Sequence, residues 1–227
     1  AKRRRWAETV SRLHVVTASA SDVAAYFEAE PPSGLTTPEG DIKEGLTGLV
    51  IFEKDGRRLL RPVTWGFPRL TREMRERGEP PGRIGLVADL TNPMWEEMVV
   101  EPRYRCLIAL THFGNPDGTP GAKTRTWFSV KDRPIMSWAG FCRNLPDQGP
   151  VYAGMTMSAN AAVMPTNDRM PVLLERAEWD QWFRGSVREV IGFQFRPPFA
   201  AERTIVEPTD DRWNSGKGPP EPQLALQ

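Results

Sequence analysis

Two histidines, His14 and His112, are the chain's whole supply of imidazole, and Cys106 and Cys142, 36 positions apart, its whole supply of thiols. A metal site needs three or four convergent ligands. The one close Cys/His pair, Cys106 with His112, matches no zinc-module spacing, so a buried thiol inside a strand is the plainer reading of Cys106. A Ser/His or Cys/His dyad would have to use one of the two histidines, and no G-x-S-x-G elbow offers a serine to either. Neither G-x-G-x-x-G nor G-x-x-x-x-G-K-[ST] occurs, so no nucleotide cofactor is expected, and no metal. His112 follows an apolar run and opens a turn-rich stretch, the pattern of a loop histidine.

The arginines are more suggestive. Arg57, Arg58, Arg61, Arg69, Arg72, Arg75, Arg77 and Arg83 fall within 27 residues and surround Trp65 and Phe67. Cations that hold phosphates, mixed with aromatics on which bases stack, are what single-stranded nucleic acid uses. Glu73, Glu76 and Glu79 interleave with them, so a solvated charged face is the competing reading.

The elements that must position these side chains read as β-rich. Thr47 to Lys54 and Arg58 to Trp65 are strand-like runs joined by Asp55-Gly56, a pair that tolerates the positive φ of a tight hairpin, which places Pro62 at an edge or bulge. Further β-type runs are Ile84 to Leu90, Tyr104 to Thr111, Thr126 to Val130, Ile135 to Cys142, Val151 to Ser158, Val187 to Phe195 and Thr204 to Val206. Helices are few and peripheral: one capped by Ser21-Asp22, one started by Asn92-Pro93, and one over Arg176 to Phe183. Loops fall at Pro31 to Gly45, Thr71 to Gly82, Phe113 to Lys123 and Leu145 to Pro150. The expected fold class is α+β, a barrel-like or folded-over sheet with few peripheral helices.

A chain of 227 residues buries roughly 70% of its unfolded surface and needs no disulfide or metal staple. The formal net charge of +1 argues against a protein that coats nucleic acid by bulk electrostatics. No apolar run has the length of a membrane span, and the basic start A-K-R-R-R-W lacks the apolar core of a signal peptide, so a cytoplasmic protein without membrane contact is expected. The expected organisation is a basic extension over 1–12, a single domain over 13–206 and a mobile Pro/Gly-rich tail over 207–227.

Several segments, taken in order, resemble the SOS-response-associated peptidase (SRAP) family. They are Val63-Thr64-Trp65-Gly66-Phe67, Arg105-Cys106-Leu107-Ile108, Thr126-Trp127-Phe128, Ala139-Gly140-Phe141, Asn160, and Asn167-Asp168-Arg169-Met170-Pro171-Val172-Leu173-Leu174. The resemblance implies single-stranded DNA as a partner, contacted here by Trp65, Phe67, Arg69 and Arg169, and a covalent cross-link to abasic sites. In that family an N-terminal cysteine traps the abasic aldehyde, because a neutral α-amine attacks it and the thiol closes a ring.

This chain lacks the cysteine of that pattern and departs from it at four further polar positions. The family's start falls near Leu13-His14, where there is no cysteine. Its N-[AI]-R strand aligns with Leu86-Val87-Ala88, its glutamate with Asn115 and its histidine with Asn167. His112 lies three positions before Asn115, and an odd offset along a strand points to the opposite face. The expectation is a degenerate member, a non-catalytic module for single-stranded or damaged DNA. Two alternatives stand beside it: cross-linking through a rearranged site, for example a Schiff base at Lys2 or Ala1, and a protein-interaction scaffold that binds no DNA.

Overall fold

The computed structural model describes residues 12–220. Strand β1 (Leu13–Val15) leads into helix α1 (Ala20–Phe27), capped by Ser19, whose hydroxyl accepts from Asp22 N. Strands β2 (Thr47–Lys54) and β3 (Arg57–Trp65) form the expected hairpin, with Asp55 at φ 52° and Gly56 at φ 73°. Pro62 sits in β3 where only β2 flanks it. The Leu60 N–H, of the same orientation, points away from β2 to Glu30 O, so the missing donor of Pro62 costs no ladder bond.

After β4 (Phe67–Arg69) and the single-turn α2 (Arg72–Glu76), the expected strand from Ile84 to Leu90 is instead two short ones. These are β5 (Gly82–Ile84), paired with β4, and β6 (Leu86–Val87), paired with β11; Gly85 between them has no room for a side chain against Trp65 and Glu44. The Asn92-capped turn Pro93–Trp95 runs into α3 (Glu96–Val100).

Then come β7 (Arg105–Leu110), β8 (His112–Asp117), β9 (Thr124–Val130), β10 (Met136–Leu145), β11 (Gly149–Ser158), β12 (Arg169–Pro171) and β13 (Leu173–Leu174). The stretch from Phe113 expected as loop is therefore a strand as far as Asp117. Gly114 and Asn115 are buried between neighbours and Pro116 and Asp117 half-buried, and Gly114 is there because Leu13 and Trp127 lie 3.0 and 3.3 Å from where a Cβ would stand.

Helix α4 (Trp179–Arg184) buries Trp179, Trp182 and Phe183 as expected. The run Val187 to Phe195, expected as a strand, is helix α5 (Val187–Phe195). Ser186 and Glu189 form a reciprocal capping box, and Val190, Phe193 and Gln194 are buried at helical spacing. Strand β14 (Thr204–Arg212) corrects the expectation of a tail from Glu207: Glu207 and Pro208 pair with β9, and Trp213 beyond them is buried.

The pairing β11–β3–β2–β7–β10 returns to β11, closing a barrel, to which β6, β12 and β13 add. A second sheet, in the order β1-β8-β9-β14, lies apart from it. The barrel is tightly filled. At Gly154 an added Cβ would fall 1.9 Å from the Trp138 indole, so only glycine admits that ring.

Candidate functional site

β1 carries His14 into the space between the second sheet and the barrel, where its ring meets Trp65 at 4.8 Å and Trp138 at 5.6 Å between centroids. His14 Nε2 lies 3.3 Å from the Tyr152 hydroxyl and Nδ1 has no partner among the described residues. Burial alone pushes its pKa down to about 3, so the ring is neutral.

Around this ring the positions singled out by the sequence converge. Leu13, His14, Leu86 and Asn115 line one pocket with Arg12, Trp65, Trp138, Thr156 and Arg169. Asn167 borders it, because its Oδ1 accepts from Arg12 Nη2 at 2.9 Å and from the Arg169 backbone N–H at 2.9 Å. Asn115 Nδ2 donates to Thr166 Oγ1 at 3.1 Å. The space left is about 10 Å³, room for one water molecule.

Two guanidiniums face this pocket. Arg169 Nη2 donates to Thr156 O at 2.6 Å and to Ala88 O at 3.0 Å, which ties β12 to β11 and to the end of β6. The Arg12 pKa is lowered to about 10, first by burial and then by the Arg169 charge, against which Asp168 acts in the other direction. Arg12 Nε is buried with no partner among the described residues. The site is thus electropositive and short of acceptors.

Among the described residues the pocket is lined by no thiol, amine or carboxylate, and its one neutral base, the His14 imidazole, is buried. Cys106 is buried in β7, and burial first, then the neighbouring Cys142, raises its pKa well above the ordinary thiol value. Tyr152 is likewise pushed up by burial. His112 lies on the opposite face of β8, in a separate groove with its Nε2 3.9 Å from Glu207 Oε2, and takes no part. Among the described residues no three His, Cys, Asp or Glu side chains converge as a metal site, and no helix is long and apolar enough to cross a membrane. The extension over 1–12, apart from Arg12, lies outside the described residues, and Ala1 and Lys2 with it.

The four residues expected to contact DNA do not share one surface. Trp65 is 1% exposed, its Nε1 donating to Gly85 O at 2.7 Å, and Phe67 is buried against Trp95. Base stacking needs a free ring face, which neither has, because both side chains are core. Arg69 is exposed on β4, and Arg169 lines the pocket. The arginine-rich stretch is dispersed: Arg57 pairs with Glu30, Arg58 with Glu53, Arg72 with Glu76 and Arg77 with Glu73, while Arg83 donates to Gly66 O. Arg12, within the basic extension expected over 1–12, and the hydroxyls of Thr156 in β11 and Thr166 in the turn before β12 join the site without any signal in the sequence, because only the packed chain brings them there.

A model of the SOS response associated peptidase (SRAP) family matches residues 11–207. No curated protein matches the chain. Three solved structures are similar. A protein of Bordetella bronchiseptica is 17% identical with a TM-score of 0.70, covering 88% of this chain and 99% of that one. A protein of Bacteroides thetaiotaomicron is 18% identical with a TM-score of 0.68, covering 86% and 90%. A phage-related protein of Bordetella bronchiseptica is 19% identical with a TM-score of 0.60, covering 88% and 93%. At such identities the likeness is one of fold.

Proposed function

Since this chain belongs to the SOS response associated peptidase family, we propose that it binds single-stranded or abasic DNA without forming a covalent bond to it. The observation that carries the reading is the content of the pocket: Arg12, Leu86, Asn115 and Asn167 stand around it, with no thiol, amine or carboxylate among them. Aldehyde capture needs a group that can donate an electron pair. A guanidinium with a pKa of about 10 is protonated at neutral pH, carboxamides and hydrocarbons are not nucleophiles, and the neutral His14 imidazole is 1% exposed among Trp65, Trp138 and Tyr152. What the pocket does offer is positive charge. Arg12 and Arg169 repel one another there, and an anionic phosphate oxygen would relieve that repulsion.

The test uses a labelled abasic single strand and its intact counterpart. Anisotropy should show binding to both at low salt, weakening as salt rises. Arg12→Met and Arg169→Gln should each flatten the slope of log Kd against log salt by about 0.7, the single-strand value per phosphate contact. A denaturing gel should show no adduct with the abasic strand. A gel-stable band overturns the non-covalent reading, and one that needs borohydride assigns it to a Schiff base at an amine such as Lys2 or Ala1. Absence of binding at low salt overturns the DNA reading in favour of a scaffold.

A further inference from the structure

Phe195 is 75% exposed, against 36–51% for every other exposed large hydrophobic side chain among the described residues. It is also held firmly on both sides. The preceding Gln194 is buried, with Nε2 donating to Val87 O at 3.1 Å and to Thr156 O at 2.9 Å, and Oε1 accepting from Leu90 N at 3.4 Å. The following Arg196 donates to Leu173 O at 2.7 Å, pairs with Glu178 and lies over the Phe193 ring. A ring displayed to water on a fixed backbone has the backbone part of its ordering cost already met, which favours a recognition aromatic.

Its place in the fold gives the ligand. Thr156 O accepts from both Gln194 and Arg169, and the neighbouring carbonyls Val87 O and Ala88 O are taken by Gln194 and Arg169 respectively. The end of α5 and the Arg169 cation are therefore fastened to the same short stretch of β6 and β11, at the rim of the electropositive pocket. One turn before Phe195 stands Gly192, where an added Cβ would meet nothing within 4 Å. Helical side chains lie back over the preceding turn, so Gly192 leaves a flat, open notch beside the ring.

We propose that Phe195 is the base-stacking residue of this face, taking an unpaired nucleobase on its ring in the Gly192 notch while Arg169 holds an adjacent phosphate. The inference rests on the DNA-binding reading above. It supplies the aromatic that buried Trp65 and Phe67 cannot, and it predicts tolerance of base identity, since every base has a π-face.

The experiment measures the full chain against a single strand carrying 2-aminopurine, whose fluorescence falls when it stacks. Wild type should quench the probe. Phe195→Ala should weaken Kd by about 5- to 100-fold, abolish the quench and leave the salt slope unchanged, since no charge is lost. Phe195→Tyr should restore both signals, and Gly192→Leu, which fills the notch with the ring intact, should weaken binding; thermal melts confirm that each variant is folded. If Phe195→Ala matches wild type in Kd and in quench while wild type binds, the stacking role is overturned and the DNA reading stands. If wild type itself fails to bind at low salt, both fall together.

Discussion

His14 is 1% exposed and uncharged, wedged among Trp65, Trp138 and Tyr152, and burial holds its pKa at about 3. His112 is held at about 4 by the same cause. Glu207, 3.9 Å from His112, is itself pushed up by burial and gives the imidazolium little help. In the unfolded chain both rings titrate near 6.5, so below that pH the unfolded state binds protons that the folded state refuses. The sign follows: this contribution is fully present above pH 6.5 and is lost as pH falls, down to about 4 for His112 and about 3 for His14. Each ring makes stability fall by up to about 1.4 kcal/mol per pH unit in its window. Replacing His112 by Gln should therefore shrink the loss of unfolding free energy between pH 7 and pH 5 by about 1–2 kcal/mol, read from urea titrations at the two pH values. An unchanged loss would mean that His112 is protonated in the folded state. The same side chains decide the site: because His14 is neutral, the positive charge in the pocket belongs to Arg12 and Arg169 alone.

At the scale of elements, α5 shows what the sequence made legible and what it hid. Val187, Val190, Ile191, Phe193 and Phe195 are residues that strands favour, and by composition the run reads as β. The stronger signal is Ser186-x-x-Glu189, whose Ser186 N–H donates to Glu189 Oε2 at 2.7 Å and whose hydroxyl accepts from Glu189 N. Local capping with apolar residues at i, i+3 and i+4 outweighs β-branching here. Ser186→Ala should cost about 1 kcal/mol. Gly192→Ala should stabilise by about 0.5–1 kcal/mol, since the new methyl meets nothing and the helix gains propensity. Paired urea midpoints check both. If Gly192→Ala destabilises, the open notch beside Phe195 is not open. The hairpin at Asp55-Gly56 and the buried runs of β7, β10 and β11 were readable because their pattern is local. β8, and β14 beyond the expected run Thr204 to Val206, were not, since their polar and proline residues become strands only when β9 lies between them. The site follows the same division. Leu86, Asn115, Asn167 and the start near His14 were legible through the order of the family-like segments. Arg12 and Phe195 were not, because what sets them apart is burial without a carboxylate partner in one case and exposure on a clamped backbone in the other, and both are properties of the packed chain.

Across the whole molecule, segments distant in sequence are fastened to the second sheet, and Arg125 is the most exacting of these ties. It is 1% exposed on β9. Its guanidinium pairs in bidentate fashion with Asp41 at 2.9 and 2.7 Å, donates through Nε to Trp213 O at 3.0 Å and through Nη1 to Lys217 O at 2.8 Å. One side chain thus fastens the loop before β2 and the segment after β14 to the same strand. Gly216 permits the approach, since a Cβ there would stand 2.8 Å from Arg125 Nε. Breaking a buried ion pair by removing one partner typically costs about 3–5 kcal/mol. The lower end applies here, because Asp41 keeps Lys43 at 3.3 Å and some access to water. Arg125→Met should therefore lower the unfolding free energy by about 3 kcal/mol and release the segment from Trp213 onward. Limited trypsin digestion under native conditions separates the two effects: in the variant, cleavage after Arg212 and Lys217 should precede any cut in the barrel, whereas wild type should resist at both sites. Equal cleavage in the two proteins would show that β14 and the buried Trp213 hold the segment without Arg125. The loop before β2 would then depend on the His14–Ile42 bridge, whose backbone bonds of 3.1 and 2.8 Å run from β1 beside the pocket.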